Sequence, residues 1–77
     1  MAKRFTYIVE DLNNQRRAEF STMRDAKSFA KNESIRLGYV ITVIAIDHKD
    51  NSWHPQGAYY GRSWREGAYH YQERGEI

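Results

Sequence analysis

Residues 21–46 constrain the chain most: an amphipathic stretch, a glycine, then an unbroken apolar run. Thr22 fits an N-cap, because its hydroxyl can accept from an orphan N–H of the first turn. Asp25, three residues on, meets the positive end of the helix dipole and can reach back to the cap. On a 3.6-residue wheel Met23, Ala26, Phe29, Ala30, Glu33 and Leu37 fall on one face, with Glu33 at its polar edge. Gly38 follows where a left-handed residue is wanted, and glycine has no Cβ to oppose it. The spacing therefore predicts a helix over residues 23–37. Residues 39–46, YVITVIAI, carry no charge, and their β-branched side chains favour a strand. Ile41, Val43 and Ala45 alternate with Val40, Ile44 and Ile46, so both faces are apolar. Such a strand is expected to be central, with the helix over one face and part of the other meeting a partner chain.

The rest of the chain reads as strands added to that unit. Residues 4–10, RFTYIVE, alternate with Phe5, Tyr7 and Val9 on one side. DLNNQ is turn chemistry, and RRAEF, with Ala18 and Phe20 inward, closes a hairpin. After the central strand HKDN forms a polar turn. Residues 52–54 start a short strand that Pro55 should end or hold at an edge, because it has no N–H for the ladder. Gln56 and Gly57 read as turn, and residues 58–60 and 63–65 as further short strands separated by Gly61. The predicted class is α+β: one helix packed on a four- to five-stranded antiparallel sheet, ββαββ, with room for one more strand. Residues 1–77 form one small domain, in which 67–77 is either an edge strand through Tyr69 and Tyr71 or a frayed tail.

Composition narrows the function classes. A chain of 77 residues offers one small core and few sites. It has no cysteine, hence neither disulfide nor thiolate chemistry, which fits a reducing compartment. It lacks an apolar run long enough to span a bilayer and an apolar N-terminal segment, so a soluble cytoplasmic protein without membrane association is expected. His48, His54 and His70 are not at metal-ligand spacing. Glu10 and Asp11 are neighbours on a strand end and point to opposite faces, so they make no acid/base dyad. There is no phosphate-binding glycine loop and no nucleophile elbow. The expectation is a protein without catalytic residues, metal or cofactor.

The remaining signal is basic and aromatic. The net charge is +2, and the excess lies on the helix, where Arg24, Lys27, Lys31 and Arg36 outnumber Asp25 and Glu33. Arg24, Lys27, Lys31 and Ile35 fall on the face opposite the apolar one. Lys27 and Lys31, four apart, repel by a few tenths of a kcal/mol, so their pairing suggests a docking role. A plainly solvated charged face remains the alternative. Arg16, Arg17, Lys27, Lys31, Arg36, Arg62 and Arg65 could meet phosphates while Trp53, Tyr59 and Tyr60 stack on bases, the pattern of a small nucleic-acid-binding module. The same aromatics could instead pad a small core. A structural protein that self-associates weakly through residues 39–46 or an edge strand is a third class.

The order YIVE, polar turn, RRAEF, an AKSFAK helix, a glycine-led apolar strand, a tryptophan near a polar turn and a final WRE resembles small phage anti-CRISPR proteins that act on type I-F surveillance complexes. Residues 5–66 carry the resemblance, best at Tyr7–Glu10, at Ala26, Lys27 and Ala30, and at Gly38 leading to Val40 and Ile44. The chain departs from the family in its tyrosine-rich segment after Gly67 and its more apolar strand. The resemblance implies a non-catalytic inhibitor in the cytoplasm of an infected bacterium. It implies binding to protein subunits of the host complex, with direct nucleic-acid contact open, and competition with target DNA. Tyr7, Lys27 and Lys31 match family-like positions; Arg24, Arg36, Arg62 and Arg65 join them as candidate partner-binding residues by charge alone.

Overall fold

The computed structural model describes residues 4–11, 13 and 15–67. Strand β1 (Phe5–Glu10), strand β2 (Arg16–Phe20), helix α1 (Met23–Leu37) and strands β3 (Ile41–Asp47), β4 (Ser52–Tyr60) and β5 (Ser63–Glu66) follow in chain order. The strands form one antiparallel sheet ordered β2-β1-β3-β4-β5. β2 and β3 flank β1, and α1 makes the connection between them. The expected α+β class and single helix on a five-stranded sheet are what the chain adopts. The expected strand or tail of residues 68–77 lies outside the described residues.

The helix is bounded by its caps. Thr22 is extended (φ −128°, ψ 148°), and its Oγ1 accepts from the Asp25 N–H at 3.2 Å. Gly38 is left-handed (φ 79°), and its N–H donates to the Ser34 carbonyl at 2.9 Å. A cap of this kind contributes about 1 kcal/mol. The core is closed by Val9, Ala26, Ala30, Ile41 and Val43, all fully buried. Two alanines facing the sheet let the helix lie close, while Phe20 and Phe29, with rings 5.5 Å apart, fill the gap beside β2.

Two expectations are corrected. Ser34 joins the predicted face: it continues the fully buried line of Ala26 and Ala30, while Met23, Phe29 and Leu37 pack against the core as expected. At about 100° per residue, the small rotation that buries Ser34 carries Lys27 and Lys31 from the outward pole to the helix flank, where both are half-buried. Pro55 and Gly57 do not end a strand: β4 runs through them. Gly57 faces Val43 and Pro55 faces Ile44, so Gln56 is an extra residue in a bulge. β5 pairs only with Gly57–Tyr60, so Pro55 lies where β4 is an edge, as its missing N–H requires.

The side of the sheet away from the helix carries Ile8, Thr42 and Ile44, all buried, and Ile46, half-buried. An exposed apolar group on that side is Trp53, at 52%, which pairs with Ile46. Ile8, Ile44, Ile46 and Trp53 line a shallow cleft there together with Glu10 and Arg16.

Candidate docking surface

The β4–β5 hairpin folds up against α1, and the contact is built from glycine and indole. Gly57 (φ +150°) has no side chain, and the Trp64 ring occupies the space: a Cβ there would lie 2.4 Å from Trp64 Cζ2. Trp64 Nε1–H donates to Glu66 Oε1 at 2.7 Å, and the Tyr59 ring centroid is 4.9 Å from that of Trp64. The indole is thus held on several sides and presents a face to the helix. Lys27 Nζ sits over that face, 4.3 Å from its centroid. A cation so placed is attracted by the ring quadrupole.

At the other end of the helix Ser34 ties the two elements together. Its hydroxyl accepts from the Gly61 N–H at 2.6 Å and is 2.8 Å from the Tyr39 carbonyl and 3.2 Å from that of Tyr59, to which it donates. One small buried side chain therefore serves three backbone groups from the helix exit, the end of β4 and the following turn. Along this flank run Lys27, Lys31 and Ile35 on α1, and Tyr60 and Arg62 on the hairpin. Ile35 and Tyr60 are exposed at 43% and 42%. Lys31 and Arg62 make no ion pair among the described residues.

The other cations are placed differently. Arg24 is exposed on the helix and lies 3.7 Å from Asp25. Arg36 is held by Glu33 in the last turn, and Arg16 by Glu19. Arg17 Nη1 donates to Asp11 Oδ2 at 3.1 Å, and its Nε is 4.0 Å from Glu33. A bulge where Glu10 meets Arg16 turns this part of β2. Burial pushes the Asp11 carboxyl up, but N–H donors from Gln15 and Asn13, together with Arg17, outweigh it and hold the group below the usual carboxylate range. Asp47 is likewise held low, by its hydrogen bonds from Arg4 and the Lys49 N–H.

Of the seven candidate partner-binding residues, Lys27, Lys31 and Arg62 are brought together. Arg24 stands further round the helix, and Arg36 points to Glu33. Tyr7 lies on β1, half-buried against the core, with its ring 6.2 Å from Phe5. It belongs to the rim of the core rather than to the hairpin flank. Arg65 alternates with Trp64 on β5 and so falls on the opposite face of the sheet. Sequence reasoning overlooked Ser34, Trp64 and Gly57. The one available signal was a mid-helix serine four residues beyond Ala30, in line with the apolar stripe. The aromatic set proposed for base stacking is also divided: Trp53 is on the helix-free side, Tyr59 packs on Trp64, and Tyr60 is exposed at a cleft shared with Arg62.

Among the described residues no group of acidic, histidine or cysteine side chains is placed to hold a metal ion, and no helix is long and apolar enough to cross a membrane. No protein-family model matches the chain, and neither a curated protein nor a solved structure matches it.

Proposed function

We propose that this chain is a non-catalytic inhibitor that docks through the α1–hairpin flank on protein subunits of a type I CRISPR surveillance complex and blocks its binding to target DNA. The observation that carries the docking is the pairing of two cations that make no ion pair among the described residues, Lys31 and Arg62, with two exposed apolar side chains, Ile35 and Tyr60. The choice of target rests on the resemblance in residues 5–66. A cation already paired must give up its partner and be desolvated again to bind elsewhere. Lys31 and Arg62 are spared that cost. Aromatic and arginine side chains are also the residue types that dominate the energetics of protein interfaces. Two such cations are too few to track a nucleic-acid backbone, where affinity grows with each phosphate neutralised.

The test is to add the purified protein to type I-F surveillance complex and measure retention of labelled target DNA. Stoichiometric protein should abolish DNA binding. The double variant Lys31→Glu, Arg62→Glu, with an unchanged circular dichroism spectrum, should need at least about tenfold more protein, equivalent to about 1.4 kcal/mol. Unchanged DNA retention in excess wild-type protein would remove the reading.

A further inference from the structure

Between the C-terminal turn of α1 and the β4–β5 turn lies a cleft of about 350 Å³, lined by Ser34, Ile35, Gly38, Tyr60, Gly61 and Arg62. Its floor is polar but already satisfied, because the Ser34 hydroxyl is engaged with Gly61, Tyr39 and Tyr59. A polar group entering the floor would find that hydroxyl occupied and would lose its own water, so an apolar group is favoured there. Ile35 lines the cleft on the helix side and Tyr60 on the hairpin side. Gly38 (φ +79°) and Gly61 (φ +63°) keep the cleft open: a Cβ at either would meet nothing within 4 Å. The rim is cationic. Arg62 lines it on the hairpin side, and Lys31 lies beyond the lining, one turn before Ile35 on the same side of the helix. The helix C-terminus carries the negative end of its dipole, so an anionic group is repelled from the carbonyl side and drawn outward to Arg62 and Lys31.

We infer that this cleft takes one apolar side chain of a protein partner, presented by a segment with carboxylates on both sides of that side chain. The inference deepens the proposed function and rests on its docking surface, but names the chemistry of what is bound. The apolar side chain displaces water from between Ile35 and Tyr60, and the carboxylates lie on the cationic rim. Because the rim is open to solvent, the interaction weakens with salt, while the apolar insertion does not.

The probe is a blocked nonapeptide with a central leucine flanked by glutamates. It is titrated into uniformly ¹⁵N-labelled protein and followed by amide chemical shifts. Shifts at Ile35, Gly38, Gly61 and Arg62 are expected. Replacing the leucine by alanine, or the glutamates by lysines, should weaken binding at least about tenfold. Arg62→Glu should reverse the preference between the glutamate and lysine peptides, and Ile35→Ser should weaken both while the spectrum of the free protein stays dispersed. Equal affinity for the two charge forms, shifts confined to other residues, or no shift at millimolar peptide would each overturn the inference. So would concentration-dependent shifts of the same amides without peptide, which would make a second copy the occupant. The peptide result is independent of the surveillance complex. Peptide binding with no effect on target DNA would sink the proposed function alone. Inhibition of DNA binding that Ile35→Ser and Arg62→Glu leave intact would sink the cleft alone.

Discussion

The two flanks of α1 carry similar numbers of cations and treat them in opposite ways. Beside β2, both described arginines of the flank have acidic partners: Arg17 with Asp11 and Glu33, and Arg36 with Glu33. Beside the β4–β5 hairpin, Lys27 rests on an indole, and Lys31 and Arg62 make no ion pair among the described residues. Charge content alone would make these flanks equivalent. Pairing separates them, because an ion pair that is partly buried fixes local structure whereas an unpaired cation keeps its capacity for an outside partner. The β2 flank uses its charges to hold the hairpin turn, and the opposite flank keeps them available.

The sharpest way to break the comparison is to remove the platform on which the hairpin flank is built. Gly57→Ala places a Cβ 2.4 Å from Trp64 Cζ2 and 2.7 Å from the Arg65 carbonyl oxygen, at a φ of +150° that side chains resist. Neither the indole, held by Glu66 and Tyr59, nor the β5 backbone can withdraw cheaply. A loss of about 3 kcal/mol is expected from overpacking and backbone strain together, read as a lowered urea midpoint. A midpoint equal to wild type would show that Trp64 is loosely held and that the flank has no fixed platform.

The elements themselves were legible because their signals are local. Thr22 and Gly38 mark the helix ends within a residue, and β-branched alternation marks β3. The contacts that make the surface are not local. Trp64 meets Lys27 across 37 positions of chain, and Ser34 meets Gly61 across 27. A helical wheel tolerates a rotation of some tens of degrees without changing its apolar count. That rotation decides whether Ser34 is fully buried and whether Lys27 faces outward. The same holds for the sheet: without the register, nothing said that Arg65 lies on the face away from the helix, or that Tyr7 is spent on the core. Pro55 did mark an edge, which β4 is over its first half; what its missing N–H could not tell is that the strand runs on past it through a bulge at Gln56.

A smaller effect tests the β2 flank. Asp11, 4% exposed, accepts from the Asn13 N–H at 2.9 Å and the Gln15 N–H at 3.0 Å besides pairing with Arg17. Asp11→Ala leaves these donors without their acceptor and should cost about 2 kcal/mol at neutral pH. Because the folded-state pKa lies below the unfolded value, the carboxylate contributes stability that is full above about pH 4 and is lost as the pH falls through the folded value. Asp47 acts in the same direction. Urea unfolding at neutral and acidic pH should therefore show a shallower acid loss in Asp11→Ala than in wild type. Equal acid slopes would mean that the Asp11 pairing is not structural, and the contrast between the flanks would fail on that side.

The smallest effect sharpens the contrast on the other side, at Lys27. Lys27→Met keeps the length of the side chain and its packing on Trp64 while removing the charge, so it isolates the attraction of the ammonium for the ring. At a half-buried site that attraction is about 0.5 kcal/mol, near the resolution of an unfolding curve, so a double-mutant cycle with Trp64→Leu is the better measurement. A coupling of that size assigns Lys27 to the architecture of the flank. Its replacement should then trouble partner binding less than charge reversal at Lys31 or Arg62, which make no ion pair among the described residues. A coupling of zero would return Lys27 to the set of available cations. The division of labour along the helix would then begin one turn earlier, with three charges rather than two facing the partner.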